Sequence, residues 1–202
     1  MTMRSKTKQI LDLVAQKGIV RPRDLTNVGI NHSNLQRLLE SGAVKRIGRG
    51  LYTSQSSSIS THRSLVEVAV QAPNATICLL SALAFHGIGT QLPSAVWIGI
   101  SYRARPPRIG ALRTVVTRMT AFGLSSEIQT HILEGVRVRI TSPVRTVVDC
   151  WKHRTRIGMD VAIEALNDGL RQKLFTMDQL YSCASHHRVW RVMKPYLEAL
   201  QS

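Results

Sequence analysis

Asn31-His-Ser-Asn-Leu-Gln-Arg-Leu-Leu-Glu-Ser-Gly42, followed after Ala43 by Val44-Lys-Arg-Ile-Gly-Arg-Gly-Leu-Tyr-Thr53, decides the fold. Asn31 can cap a helix from about His32 to Ser41, with Leu35, Leu38 and Leu39 facing inward and Gly42 ending it. At roughly 100° per residue, Ser33 and Arg37 fall opposite the leucines, and Asn34 and Gln36 on their flanks. All four are donors and acceptors of the kinds that read base edges, and a helix N-terminus favours a phosphate. Glu40 shares the outer face near the other end, which is therefore expected to lie farther from phosphates. In the second run, two β-prone segments flank Gly48-Arg49-Gly50, whose glycines permit the positive φ of a tight hairpin, with Lys45, Arg46 and Arg49 projecting from it.

Upstream, Ile10, Leu11, Val14 and Ala15 make the stripe of an amphipathic helix over Lys6 to Lys17 that Gly18 ends. Pro22-Arg-Asp-Leu25 opens a short second helix with proline in its first turn, stopping near Gly29. Three helices followed by a basic hairpin predict a winged helix-turn-helix, the third helix in a major groove and the hairpin against the backbone or minor groove. A small helical interaction domain with a solvated turn is the alternative.

The whole chain has the charge such a reading needs. It carries 27 Lys and Arg against 12 Asp and Glu, net +15, a balance that draws it to a polyanion, with nucleic acid the leading candidate. The first 55 residues hold +7 and the remainder +8, so the front quarter is much the denser. A second basic stretch, Arg103, Arg105, Arg108, Arg113 and Arg118, contains no acid. It reads either as a solvated loop and strand edge or as a phosphate-facing track in which Arg103 and Arg105 take part. No apolar run approaches a membrane span, and the start lacks a signal-peptide core, so a cytoplasmic protein is expected. Cys78, Cys150 and Cys183 lie far apart, with no CxxC pair, and are expected as buried apolar side chains.

Thr53-Ser-Gln-Ser-Ser-Ser58 is a polar break, which places a DNA-binding domain at 1–54 and a second domain at 62–202. Beyond it, Leu65 to Val70 suggests a helix, Ala75 to Ala84 a buried stretch, and Ser81 a helix cap. Strands are expected at Ala95–Ile100, Thr114–Thr117, Ile128–Leu133 and Val136–Ile140, the last two joined by Glu134-Gly135. The alternation predicts a small, mainly antiparallel sheet with Arg137 and Arg139 on its wet face. Ser142-Pro143 opens a helix with Val144, Val147, Val148 and Trp151 inward and Arg145 within reach of Asp149. Helices at Val161–Leu170, Asp178–Ser185 and Val189–Leu200 complete an α+β chain, with Thr176 and Gln179 as a capping box. His86 is expected to donate to a backbone carbonyl at a helix end, and His186-His187 to be solvated or to contact phosphate.

The run from Gly29 through Tyr52 resembles the N-terminal winged-helix module of the AbiEi family of antitoxin-type transcriptional regulators. Ser81-Ala-Leu-Ala-Phe-His-Gly-Ile88 looks like that family's SALxxHG segment, and Thr141-Ser-Pro-Val-Arg-Thr-Val-Val-Asp149 resembles its TSPxRTxxD segment. The three occur in the family's order and cover most of the chain. The resemblance implies a repressor that binds inverted repeats in its own promoter. It also implies a type IV antitoxin, linked to phage abortive infection, that counteracts a nucleotidyltransferase-like toxin without a stable complex. This chain is shorter than some relatives, which places DNA binding ahead of antitoxin activity.

No GxSxG elbow, HExxH helix or GxxxxGK[ST] loop occurs, nor a glycine-serine turn with closely spaced acids, so no catalytic residue, cofactor or metal ligand is assigned. A nuclease built from Glu134, Asp149 and Glu164 is the best enzyme rival. The functional alternatives are an antitoxin that neutralises its toxin by direct contact and a stand-alone regulator without a toxin. With no heptad seam, a monomer in solution is expected.

Overall fold

The structure, a computed structural model, describes residues 8–14, 18–27, 31–48, 50–54, 62–110 and 112–201. The N-terminal elements are α1 (8–14), β1 (Ile19–Val20), α2 (Pro22–Thr26), α3 (His32–Glu40), β2 (Val44–Gly48) and β3 (Leu51–Ser54). Their order is that of a helix-turn-helix with a β-hairpin after it, and β1 joins the hairpin to make an antiparallel sheet ordered β1-β3-β2. One core unites them. Ile10 and Val14 of α1, Leu25 of α2 and Leu35 and Leu38 of α3 close over Val20, Val44 and Tyr52. Asn31 holds the N-cap position of α3 with extended backbone but makes no capping side-chain bond, and Gly42 turns the chain at φ +71°. Thr53 and Ser54, the first two residues of the serine-rich stretch, belong to β3. Thr53 is buried in β3 against Ile19 and Lys45, and residues 55–61 lie outside the described residues.

The second sheet contains β4 (Thr76–Ile77), β5 (Val96–Ser101), β6 (Thr114–Met119), β7 (Ile128–Leu133) and β8 (Val136–Thr141), in the order β6-β5-β4-β8-β7. It is mixed. The β4–β5 and β7–β8 pairs are antiparallel, whereas β5–β6 and β4–β8 are parallel. Alternation along a strand reports which face is wet, not which way a distant neighbour runs, so the mainly antiparallel expectation missed two crossovers. On one face α4 (Arg63–Gln71) sets Leu65, Val66 and Val68 against Ile77, Ile98, Ile100, Val138 and Ile140. On the other, Trp97 and Met119 meet a bundle of α6 (Pro143–Lys152), α8 (Met159–Arg171), α9 (Met177–His186) and α10 (Trp190–Gln201), centred on Val147, Trp151, Leu166 and Leu180. The short α7 (Arg154–Ile157) links α6 to α8.

Helix α5 (Leu79–His86) joins β4 to β5, and here the expected cap is displaced. Cys78 is the N-cap residue. The Ser81 hydroxyl accepts from Trp97 N–H at 2.9 Å and donates to Ala95 O at 3.4 Å, which ties α5 to β5 instead of closing its own first turn.

The two sheets meet at Gly18. Its carbonyl accepts the Thr53 hydroxyl at 2.7 Å, while its α-carbon faces the backbone of Glu134 so closely that a Cβ would lie 2.6 Å from the Glu134 carbonyl carbon. Gly18 also has φ +68°, which glycine adopts without penalty. Next to it, Ile19 leaves the N-terminal core and packs into the cluster under α4. The carboxylate of Glu134 is turned inward beside Arg63, 4.0 Å away.

Candidate nucleic-acid interface

Helix α3 presents two faces of opposite chemistry. Leu35 and Leu38 are buried, whereas Ser33, Gln36, Arg37 and Glu40 are exposed and Asn34 is half-buried. Gln36 Nε2 donates to Glu40 Oε1 at 3.3 Å, one turn farther along the same exposed face. The hairpin supplies the cations. Lys45 is half-buried and pairs with Thr53, Arg46 is exposed opposite Tyr52, and the register shifts between Arg46 and Gly48. Arg46 Nε donates to Gly48 O at 3.1 Å, which extends the guanidinium along the hairpin turn. Arg49 lies outside the described residues.

The second basic stretch divides. Arg103, Arg105, Arg108 and Arg113 are exposed. Arg118 instead donates through Nη1 to Ser101 O at 2.8 Å, and to the carbonyls of Tyr102 and Ala104, so it holds the turn after β5 together. Sheet register locates that turn. Ile77 pairs with Ile98 on one side and Ile140 on the other, so the end of β5 at Ser101 and the start of β8 near Arg137 share one end of the sheet. The β1–α2 segment docks at that same end, because Gly18 faces Glu134. Arg103 and Arg105 thus stand at the end of the second sheet nearest the N-terminal elements.

Away from this surface the charged groups serve the interior. Arg145 and Asp149, each 2% exposed, pair at 2.9 Å, and Arg145 Nη1 donates to Ser126 O at 3.1 Å. Burial pushes the Asp149 carboxyl up, against the pull of the Arg145 guanidinium. The Ser142 hydroxyl accepts from Arg145 N–H at 3.3 Å, as the expected cap requires. His86 Nε2 donates to Thr141 O at 2.7 Å, the backbone role expected for it, and burial lowers its pKa. His186 is exposed, but its neighbour is not solvated as expected. His187 is buried against Phe122, with ring centroids 5.6 Å apart, and burial followed by Arg145, Lys152 and His186 pushes its pKa down to about 4. The three cysteines are buried and free, with thiol pKa values raised by desolvation.

The acids considered for nuclease chemistry have separate partners. Glu134 faces Arg63, Asp149 binds Arg145, and Glu164 accepts from the Thr90 backbone and hydroxyl. Among the described residues, no group of three or more His, Cys, Asp or Glu is placed to hold a metal ion. None of the described helices is long and apolar enough to cross a membrane.

The N-terminal elements form a coherent sequence match. Residues 8–55 match the family described as transcriptional regulator, AbiEi antitoxin. Over these residues the chain is similar to that family. The AbiEi match covers α1 as described through β3 and ends one residue beyond it. Over most of the chain, similarity is one of fold. A crystal structure of the RV2827C protein from Mycobacterium tuberculosis superimposes with a TM-score of 0.59 at 14% identity, covering 90% of this chain and 71% of that one. No curated protein matches the chain.

Proposed function

We propose that the chain is a sequence-specific, duplex-DNA-binding regulator whose winged helix-turn-helix, residues 1–54, occupies an operator, and that it acts as the autorepressing antitoxin of a toxin–antitoxin operon. One observation carries the reading: α3 buries its leucines and turns Ser33, Gln36 and Arg37 to solvent beside a cationic hairpin. Ser33, Asn34, Gln36 and Arg37 read base edges in the major groove, and Lys45, Arg46 and Arg49 hold phosphates. Arg103 and Arg105 add phosphate contacts from the α+β unit at 62–202. The AbiEi match over 8–55 supports a regulator rather than an enzyme. The chain is a monomer in solution and binds inverted repeats in its own promoter. It counteracts a nucleotidyltransferase-like toxin without a stable complex.

Quantitative gel shifts with the native upstream duplex against scrambled competitor test the first claim. Arg37→Ala relaxes specificity at a cost of about 1–3 kcal/mol, whereas Arg46→Ala weakens all sequences alike and lowers the salt slope by about one. If neither change appears, α3 and the hairpin are not the recognition surface. Sedimentation alone and with operator DNA tests the monomer. Stable copurification of a toxin from the same operon would instead establish neutralisation by contact.

A further inference from the structure

Where the N-terminal elements meet the second sheet there is a cleft of about 350 Å³. Its walls set Arg21 and Arg23, at the start of α2, against Arg137, the second residue of β8, over a floor that includes Ile19, Val70 and Val136. The acids nearby are already engaged. Asp24 accepts from Arg21 through the backbone N–H at 2.9 Å and through Nε at 3.3 Å, and Glu134 is turned inward beside Arg63. Arg23 and Arg137 are exposed, and among the described residues neither forms an ion pair.

We propose that this cleft seats the sugar–phosphate backbone of the duplex that α3 and the hairpin engage, so that Arg137 is a phosphate-binding residue supplied by the second sheet. The inference rests on the DNA-binding reading above. Position supports it first. In a helix-turn-helix the helix before the recognition helix crosses the backbone, and here that helix is α2, which carries Arg23. A Cβ at Gly50 would touch Pro22 Cδ at 3.9 Å, so the hairpin turn, the start of α2 and the cleft follow one another along the surface. Chemistry supports it next. Arginines line both walls, with Asp24 in the lining already bonded to Arg21, and arginine binds the spread oxygens of a phosphate in bidentate fashion. The junction at Gly18 holds the two walls in place, so closing on the backbone requires no rearrangement of units.

The test is fluorescence anisotropy of the full chain with the upstream duplex, over about 50–200 mM salt. Arg137→Ala lowers the slope of log affinity against log salt by about one, equivalent to roughly eightfold weaker binding at 0.1 M relative to a 1 M reference. It does so on native and scrambled duplex alike, and Arg137→Lys restores the slope. Lys173→Ala removes the same charge just past α8, where Gln172 reaches Gly87 near the Thr141 end of β8, and leaves the slope unchanged. If Arg137→Ala unfolds the chain, Arg23→Ala on exposed α2 probes the other wall with the same expected loss. A wild-type slope in Arg23→Ala and Arg137→Ala, with Arg46→Ala still reduced, overturns the cleft and leaves the DNA-binding reading standing. A wild-type chain with no salt-dependent affinity for duplex overturns both.

Discussion

Replacing Gly18 with alanine separates backbone strain from a tertiary clash, because a second glycine supplies the control. Gly18 and Gly42 have nearly the same conformation, φ +68° and +71°. A Cβ at Gly42 meets nothing within 4 Å, whereas at Gly18 it lies 2.6 Å from the carbonyl carbon of Glu134, with the oxygen closer still. Both alanines incur the left-handed penalty of about 1–2 kcal/mol. Only Gly18→Ala must also push the Glu134 turn away by roughly an ångström, against a packed interior that resists such shifts. That displacement loosens Ile19 from the cluster under α4, where full burial of such a side chain contributes about 1.5–3 kcal/mol. The expected loss is therefore about 1 kcal/mol for Gly42→Ala and about 3 kcal/mol for Gly18→Ala, read from urea unfolding followed by circular dichroism. Equal losses in the two variants would refute the wedge between the sheets.

Two further outcomes are open to measurement. Asp149→Ala leaves Arg145 charged and buried, so it destabilises by about 3–5 kcal/mol, while Arg145→Met combined with Asp149→Leu loses much less; additive losses in chemical denaturation would contradict that coupling. His187 protonates in the unfolded chain near pH 6.5 but in the folded protein only near about 4. Between those values the unfolded state binds the extra proton, so stability is full above pH 6.5 and falls with acidification by at most about 3 kcal/mol, flattening below the folded value. Replacing His187 with Gln should flatten urea midpoints compared at pH 7 and pH 4.5, and an unchanged slope would place the titration elsewhere.

Local rules carried the reading wherever the partner lay nearby in sequence. The leucine stripe of α3, the glycine-bracketed hairpin, the Ser142 cap and the Thr176–Gln179 capping box all appear as their residue patterns demand. Partners far along the chain were invisible to the same rules. Nothing in Thr114–Met119 announces that it pairs parallel to β5, and nothing beside Arg118 announces that Ser101, Tyr102 and Ala104 consume its donors. His187 read as solvated because its neighbours are basic, yet the α9–α10 turn packs it onto Phe122. For the proposed interface, polarity and spacing on α3 were legible. The cleft was not, since Arg21 and Arg137 stand 116 positions apart and only the Glu134 turn against Gly18 brings their surroundings together.

Strand β6 ends the second sheet, and an open β-edge invites a neighbouring molecule to add a strand. Arg156 lies across it: Nη1 and Nη2 both donate to Val116 O at 3.3 Å, Nη1 reaches the Thr117 hydroxyl, and the guanidinium stacks over Trp97 at 4.8 Å. A charge held beside Val116 and Thr117 makes this border a poor template for a strand from a second copy, as charged side chains on other sheet edges do.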